Sequence, residues 1–361
     1  AQAADVIVVN TYLYGLDVGA DGAILPEHDV VIFDEAHGVE DIMSDTVGVQ
    51  IAPGRFFTVA AIVARFLDDD AIHAALLGCA DELRAVLRDH VGRRLPHPYP
   101  EDVAACLADA RIQLERALNA VTTVDPPGDE PKQRRLRAQL VLGRTIEAID
   151  IATGASTPAA MPERDQIVDF VSGTRDNPRL ELAPLDVGPA LTAGVWNRRT
   201  AILTSATIPA SLPTRLGIPA ERVDRADVGS PFDYETNGLL YCPVALPDPR
   251  AETYRAAVHD ELTALITAAG GRTLALFTSY RAMDEAAEAV ADRVGTPILT
   301  QRDRSKTALL KEFADDEANS LFATAGFFQG VDVPGTTLSL VVIDRLPFPR
   351  PDDPLLSARR E

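Results

Sequence analysis

Residues 30–37 read Val-Val-Ile-Phe-Asp-Glu-Ala-His. An apolar run ends on two adjacent carboxylates, Asp34 and Glu35, with His37 just beyond. Like charges side by side repel, and removal from water makes the repulsion costlier. A bound cation resolves the conflict. The run has the length and β-branched content of a short, doubly buried parallel strand. Ligands of parallel sheets bind just past the carboxyl ends of strands. An aspartate placed there suits the Mg²⁺ of a nucleoside triphosphate, and a neighbouring carboxylate can orient or deprotonate an attacking water. This reading gives Asp34 the Mg²⁺, Glu35 the role of base and His37 a coupling role. A solvated acidic turn explains the same residues without chemistry, since Glu40 and Asp41 follow closely.

Three further stretches repeat the pattern of an apolar strand ending in polar groups. In "TAILTSATI" the strand runs into Ser205-Ala206-Thr207, two hydroxyls that could also be an ordinary helix cap. In "RTLALFTSYR" it runs into Thr278-Ser279-Tyr280. In "GFFQGVDVPG" it gives way to a loop with two aromatics, three glycines and Asp332, which could simply brace its own turn. The order of the four stretches along the chain carries more weight than any one of them.

The elements that must position these groups are legible in outline. Residues 5–9 and 30–33 read as core strands of a parallel sheet, and Asn10 can cap a helix between them. From about 51 to 165 apolar residues recur at three and four, as in Val103, Cys106, Leu107, Ala110, Leu114, Leu118 and Val121, the mark of amphipathic helices. Further helices are expected over about 81–91 and 133–151. Pro-rich breaks separate them, and "KQRRLR" forms a basic tract that is either a solvated helix face or a DNA contact. Strand signals return at 180–183 and 200–203, and strand–helix alternation resumes from about 230.

Composition narrows the class. The 361 residues exceed one ordinary domain and 46% are apolar, enough for real cores. No apolar run is long enough to span a membrane and no signal peptide is evident. Cys79, Cys106 and Cys242 are too scattered for a disulfide framework or metal set. They fit a reducing cytoplasm and read as small buried residues. The net charge of −20 argues against nucleic acid as an average, although a local channel can be basic. Three of the 34 basic residues are lysines, Lys132, Lys306 and Lys311, and the rest are arginines.

On the stretches "LPEHDVVIFDEAH", "LTSATIP", "LFTSYRAM" and "GFFQGVDVPGTTLSLVVIDRLPFPRPDDPLLSAR" the chain resembles the DinG/XPD group of superfamily 2 DNA helicases, the bacterial DinG-like branch above all. The resemblance implies an α/β fold of two RecA-like parallel-sheet motor domains, the first incomplete, with an inserted all-helical arch domain. The boundaries it implies are 1–50 and 166–228 for the first motor domain, 51–165 for the arch and 229–361 for an incomplete second motor domain. It implies ATP and Mg²⁺ as cofactors, with Asp34, Ser205, Thr207, Gly330 and Asp332 on the nucleotide side. Ser205 and Thr207 link nucleotide state to the DNA grip, and Gly330 and Asp332 lie between the motor domains. Ser279, Tyr280, Arg281 and Phe328 are implied to meet DNA. The implied partner is single-stranded or forked DNA, unwound 5′ to 3′ in repair or replication, in the cytoplasm and not at a membrane.

The resemblance also marks what this sequence lacks. A Walker A loop needs a Gly-Lys step, and no lysine here follows a glycine. The four cysteines of the family's [4Fe–4S] cluster and its late arginine motif are missing too. The expectation is an internal stretch of a longer helicase that does not hydrolyse ATP alone. Phe328-Gln329 replaces a frequent Trp-Glu, which keeps an aromatic for base stacking and loses a charge, and Gly326 replaces a frequent serine. Two alternatives use the same residues. One is a non-catalytic nucleic-acid-binding pseudo-helicase. The other is a metal-dependent hydrolase built on Asp34, Glu35 and His37, which leaves the Ser-Ala-Thr and glycine–aspartate stretches unexplained.

Overall fold

Asn10 opens the first helix as expected: its side chain accepts a hydrogen bond from the Leu13 amide at 2.7 Å. The structure, a computed structural model, describes residues 4–67, 69–125, 127–157, 161–348 and 352–361. Residues 349–351 of the long matching stretch lie outside that set. The chain divides into two units, Ala1–Ala226 with Arg350–Glu361, and Asp227–Pro349.

Unit 1 runs α1 (Thr11–Gly19), β1 (Val30–Phe33), α2 (Val39–Val47), β2 (Val49–Ile51), α3 (Pro53–Val63), α4 (Asp70–Leu87), α5 (Glu101–Thr123) and α6 (Asp129–Thr153). It continues with β3 (Ile167–Thr174), β4 (Asn177–Pro184), α7 (Gly188–Leu191), β5 (Thr200–Leu203) and α8 (Leu212–Arg215). β1 and β5 form a parallel pair in the register Val30↔Thr200 to Phe33↔Leu203. Val31 and Phe33 point into a core with Tyr14, Val18, Met43 and Trp196. The Phe33 ring meets Tyr14 and Trp196 edge-on at 5.2 and 6.1 Å.

Three expectations need correction here. β1 is not doubly buried: Val30 and Ile32 are 52% and 64% exposed, because helices cover only the Val31/Phe33 face. Residues 5–9 form no strand, and Val6 and Val8 are 79% and 92% exposed. β3 and β4 do not extend the parallel sheet. They form an antiparallel hairpin around Arg175-Asp176, and β4 also pairs with β2 in the order β2-β4-β3. That sheet shares one core with α3–α6, in which Ile51, Val171, Leu180 and Leu182 pack among Phe56, Leu76, Leu107 and Leu114. The reason is alternation: every second residue of β4 faces the helices, and a strand with one apolar face suits an antiparallel sheet.

Unit 2 runs α9 (Tyr234–Asn237), α10 (Tyr254–Ala269), β6 (Thr273–Leu276), α11 (Tyr280–Val294), β7 (Ile298–Thr300), α12 (Lys306–Asp315), β8 (Ser320–Ala323) and β9 (Leu340–Ile343). Its sheet is wholly parallel, in the order β7-β8-β6-β9. β6 and β8 are buried on both faces. Ala275 and Phe322 face a core with α10 and α11, while Leu274, Leu276 and Leu321 face one with α12. The last helix, α13 (Pro354–Arg359), follows unit 2 in the chain and packs on β3 of unit 1. The protein is thus a mixed α/β chain with parallel sheets, and among its described residues no helix is long and apolar enough to cross a membrane.

The cysteines divide. Cys79 on α4 and Cys106 on α5 are buried, and burial pushes their thiols up to about 11 and about 12. Both stay protonated at neutral pH and inert. Cys242, expected to be buried, is exposed, because it sits in an extended stretch beside the exposed Leu239, Leu240 and Val244. In the native protein one thiol of three should react with a colorimetric disulfide reagent at pH 8, the other two only in denaturant. Three fast native thiols would refute this division.

Candidate functional site

The parallel register of β1 and β5 decides the geometry of the first site. Phe33 stands opposite Leu203, so Asp34 and Thr204 leave the sheet at the same edge. The two chains stay paired for one more step, with Ala36 N donating to Thr204 O at 2.9 Å. Asp34 Oδ1 accepts from Thr204 Oγ1 at 2.9 Å and from Glu35 N at 3.0 Å. Glu35 Oε2 accepts from Ser205 Oγ at 3.3 Å and lies 3.3 Å from His37 Nδ1. His37 Nδ1 is 2.9 Å from Ser205 Oγ. A serine hydroxyl has one proton. It can therefore donate to Glu35 or to His37 but not to both at once.

Of Asp34, Ser205 and Thr207, expected together at one sheet edge, the structure brings Asp34 and Ser205 there, with Glu35 and His37 beside them. Thr207 lies two residues beyond Ser205, is exposed, and does not bond to the carboxylates. Its neighbour Thr204 does, a residue that sequence reasoning passed over. The signal was there: "VVIF-DE" and "TAIL-TS" are strand ends of equal length, and in-register pairing sets residue 34 against 204.

Glu35 occupies the left-handed region, at φ 52°, ψ 46°. Non-glycine residues rarely do so, at a cost on the order of 1–2 kcal/mol. The twist sends the two neighbouring carboxylates to different partners. Glycine at this position relieves the strain but enlarges unfolded-state entropy. Glu35→Gly should therefore stabilise unit 1 by up to about 1 kcal/mol in denaturant unfolding, while Glu35→Ala gives no gain. Equal stability of the two variants would show that the backbone stores no strain here.

Hard-oxygen chemistry fits Mg²⁺ at this edge. Mg²⁺ takes one or two carboxylates and completes its shell with phosphate oxygens and water, and Asp34 is an exposed carboxylate. Among the described residues no group of three or more His, Cys, Asp or Glu could hold a metal by itself. A [4Fe–4S] cluster does not fit: it needs four thiolates, and the chain has three cysteines, two of them buried.

In unit 2 the loops after β6, β8 and β9 gather at the carboxyl edge of one sheet. Ser279 caps α11 through the Ala282 amide at 3.2 Å. Arg281 pairs with Glu285 at 2.7 Å. Tyr280 is covered by the Arg302 guanidinium, 4.8 Å from its ring centre, and Arg302 forks Asp284 at 3.0 Å through both oxygens. Beside them lies a cavity of about 150 Å³ lined by Thr278, Ser279, Arg281, His259, Asp344 and Arg345. The glycine–aspartate loop follows β8. Gly330 adopts φ 65°, Asp332 is exposed, and Phe328 is half-buried against the core below, with Phe327 wholly inside. Two residues that were not singled out hold this loop. Gln301 Oε1 accepts from Thr324 N and Oγ1 at 2.7 Å. Lys306 Nζ donates to Gly326 O and Gln329 O at 2.6 and 3.0 Å.

Burial raises the Asp344 carboxyl above the ordinary carboxylate range, with Arg345 and His259 opposing. The ionised form is the disfavoured one, so its cost appears as pH rises and the group deprotonates. Asp344→Asn should melt higher than the natural protein at pH 7, with the gap closing as the pH falls and Asp344 itself becomes neutral. A gap that widens toward low pH would contradict the burial.

Comparison with known proteins finds relatives along the whole chain. A family model described as a helicase C-terminal domain matches residues 262–361. The chain is 37% identical over 375 residues to a protein named ATP-dependent helicase DinG from Mycobacterium tuberculosis, covering 100% of this chain and 55% of the relative. It is 32% identical over 388 residues to ATP-dependent DNA helicase YoaA from Escherichia coli, covering 100% of this chain and 58% of the relative. The chain thus spans about half the length of the curated relatives it matches. A solved structure titled "Structure of S. tokodaii Xpd4" shares the fold, with a TM-score of 0.55 at 15% identity over 95% of this chain and 64% of that one. Along its whole length the chain is thus similar to ATP-dependent helicases named DinG and YoaA, and its residues 262–361 match a helicase C-terminal domain.

Proposed function

We propose that this chain is the motor core of an ATP-dependent DNA helicase. The observation that carries the reading is the bonded cluster of Asp34, Glu35, His37, Thr204 and Ser205, which joins two parallel strand ends into one acidic edge. Bound MgATP would supply the phosphoryl group whose hydrolysis drives movement. Asp34 would hold the metal through its exposed carboxylate. Glu35 would take the proton of the attacking water, and Ser205 and His37 keep its carboxylate aimed. Because Ser205 belongs to the strand after the helical block, any change at Glu35 is felt on both strands. Thr207, two residues beyond, would carry that change onward.

On the same reading, unit 2 binds the strand. Ser279, Tyr280, Arg281 and Phe328 supply contacts to single-stranded DNA, and Gly330 and Asp332 serve the nucleotide side. Residues 1–50 and 166–228 would make the first motor domain, 51–165 an arch-like insertion and 229–361 the second motor domain. The shared core of α3–α6 with β2–β4 favours placing 167–184 with the insertion. A 5′ to 3′ direction, forked DNA as substrate and a cytoplasmic setting complete the proposal. The residues present do not accommodate an iron–sulfur cluster. A second reading, a binding module without hydrolysis, has one observation in its favour: no lysine in the chain follows a glycine, so the chain itself has no Walker A cradle.

The test is phosphate release with and without single-stranded DNA. Residues 1–361 alone should give none, since phosphoryl transfer depends on positioning and charge that the missing cradle would provide. A chimera in which residues 1–361 replace the matching span of mycobacterial DinG should show DNA-stimulated hydrolysis. In that chimera Glu35→Gln should cut turnover by about 10²–10⁴-fold and leave ATP binding nearly intact. Hydrolysis by the isolated chain, or full activity of the Glu35→Gln chimera, would overturn the assignment of the site.

A further inference from the structure

Glu40 is a buried acid, 7% exposed, on the first turn of α2, three residues after His37. A buried carboxylate needs partners, and it takes them from two distant segments. Arg215 of α8, on the segment that follows the Ser-Ala-Thr strand end, pairs with its Oε2 by charge. Arg359 of α13 lies 3.4 Å from its Oε1. The Arg359 side chain is 13% exposed, and its donors are spread over one small surface. Nε donates to Leu185 O at 3.1 Å, Nη2 donates to Ser44 Oγ, and Nη1 also lies 3.6 Å from Asp41. Three of these partners, Glu40, Asp41 and Ser44, sit on α2. The short turn Ala36–Gly38 joins α2 directly to the carboxylate pair. Only Gly38 and Val39 separate His37 from Glu40.

We infer that Glu40 and Arg359 are positioning residues for the acidic edge: α13 locks α2 and, through it, holds His37 and Glu35 against Ser205. An ordinary structural brace would not need an arginine with its donors divided among four acceptors, and Arg94 already supplies a brace. Arg94 fastens the other side of α13 through Pro354 O, Ser357 and Glu361, at 2.6–3.1 Å, without touching α2. α13 comes after all of unit 2 in the chain, so its lock on α2 gives the later half of the sequence a hold on the earlier strand end. The inference rests on the functional reading of Asp34, Glu35 and His37. Its test reads geometry alone, so either can fail without the other.

The experiment uses residues 1–361 with ¹⁵N-labelled histidine. The chain has six histidines, and His37→Gln identifies the His37 ring signals by their loss. Arg359→Ala should shift those signals and speed amide exchange along α2 at least about tenfold, because breaking a buried pair strands a charge. Glu40→Gln, which keeps size and shape, should shift them in the same sense. Arg359→Lys should restore part of the effect as a point charge without the fork. Arg94→Ala should leave His37 and α2 unchanged. Unmoved His37 signals in folded Arg359→Ala or Glu40→Gln would overturn the inference, as would an Arg94→Ala effect equal to that of Arg359→Ala.

Discussion

The pairing of β1 with β5 is the constraint on which the acidic edge depends. Two four-residue strands, separated by well over a hundred residues of helix and hairpin, meet in a single register. That register alone sets Asp34 opposite Thr204 and brings Ser205 to Glu35. Side chains along a strand alternate between faces, so a slip of one residue would turn Val31 and Phe33 out of their core. The aromatic contacts of Phe33 with Tyr14 and Trp196 oppose such a slip. Hydrophobic packing on one face of the strand thus holds a polar arrangement at its end.

How much of this the sequence revealed follows from the range of each interaction. Strand ends that run into polar groups are local patterns, and Asp34, Ser205, Thr278–Ser279 and the loop after β8 could be placed from them. The periodicity read over 103–121 and about 133–151 falls within helices Glu101–Thr123 and Asp129–Thr153. Burial of a second strand face is different, because it depends on a layer contributed by other residues. "VVIF" and "TLAL" look alike as sequence. β6 is covered on both faces and β1 on one, since helices flank the sheet of unit 2 on both sides while those of unit 1 cover only the Phe33 face. The hairpin of β3 and β4 was misplaced for a related reason: a strand with one apolar face can join any sheet that offers a core.

The residues that escaped notice are those whose partners lie far away in sequence. Thr204 required the register. Gln301 and Lys306 become meaningful only once the loop after β8 folds over them. Glu40 looked like part of a solvated acidic turn beside Asp41, and in that company its burial was hidden. One feature did set Lys306 apart, namely that it is one of three lysines in an arginine-rich chain. A compact ammonium suits two backbone carbonyls at 2.6 and 3.0 Å better than a planar fork does.

Two neighbouring carboxylates at a strand end pose a problem that the fold answers by separating them. The left-handed turn at Glu35 sets its carboxylate beside Ser205 and His37, while Asp34 bonds Thr204. Each then finds its own partners: Thr204 Oγ1 and the Glu35 amide donate to Asp34, while Ser205 Oγ donates to Glu35 and the His37 ring lies beside it. The strain is local, while the partners come from the other strand. Neither a relaxed backbone nor a single strand would produce this arrangement. Extended backbone at residue 35 would point the two side chains to opposite faces and carry Glu35 away from Ser205 and His37. The unusual backbone and the parallel partner are thus two halves of one solution, which leaves Asp34 exposed while holding Glu35 beside Ser205 and His37.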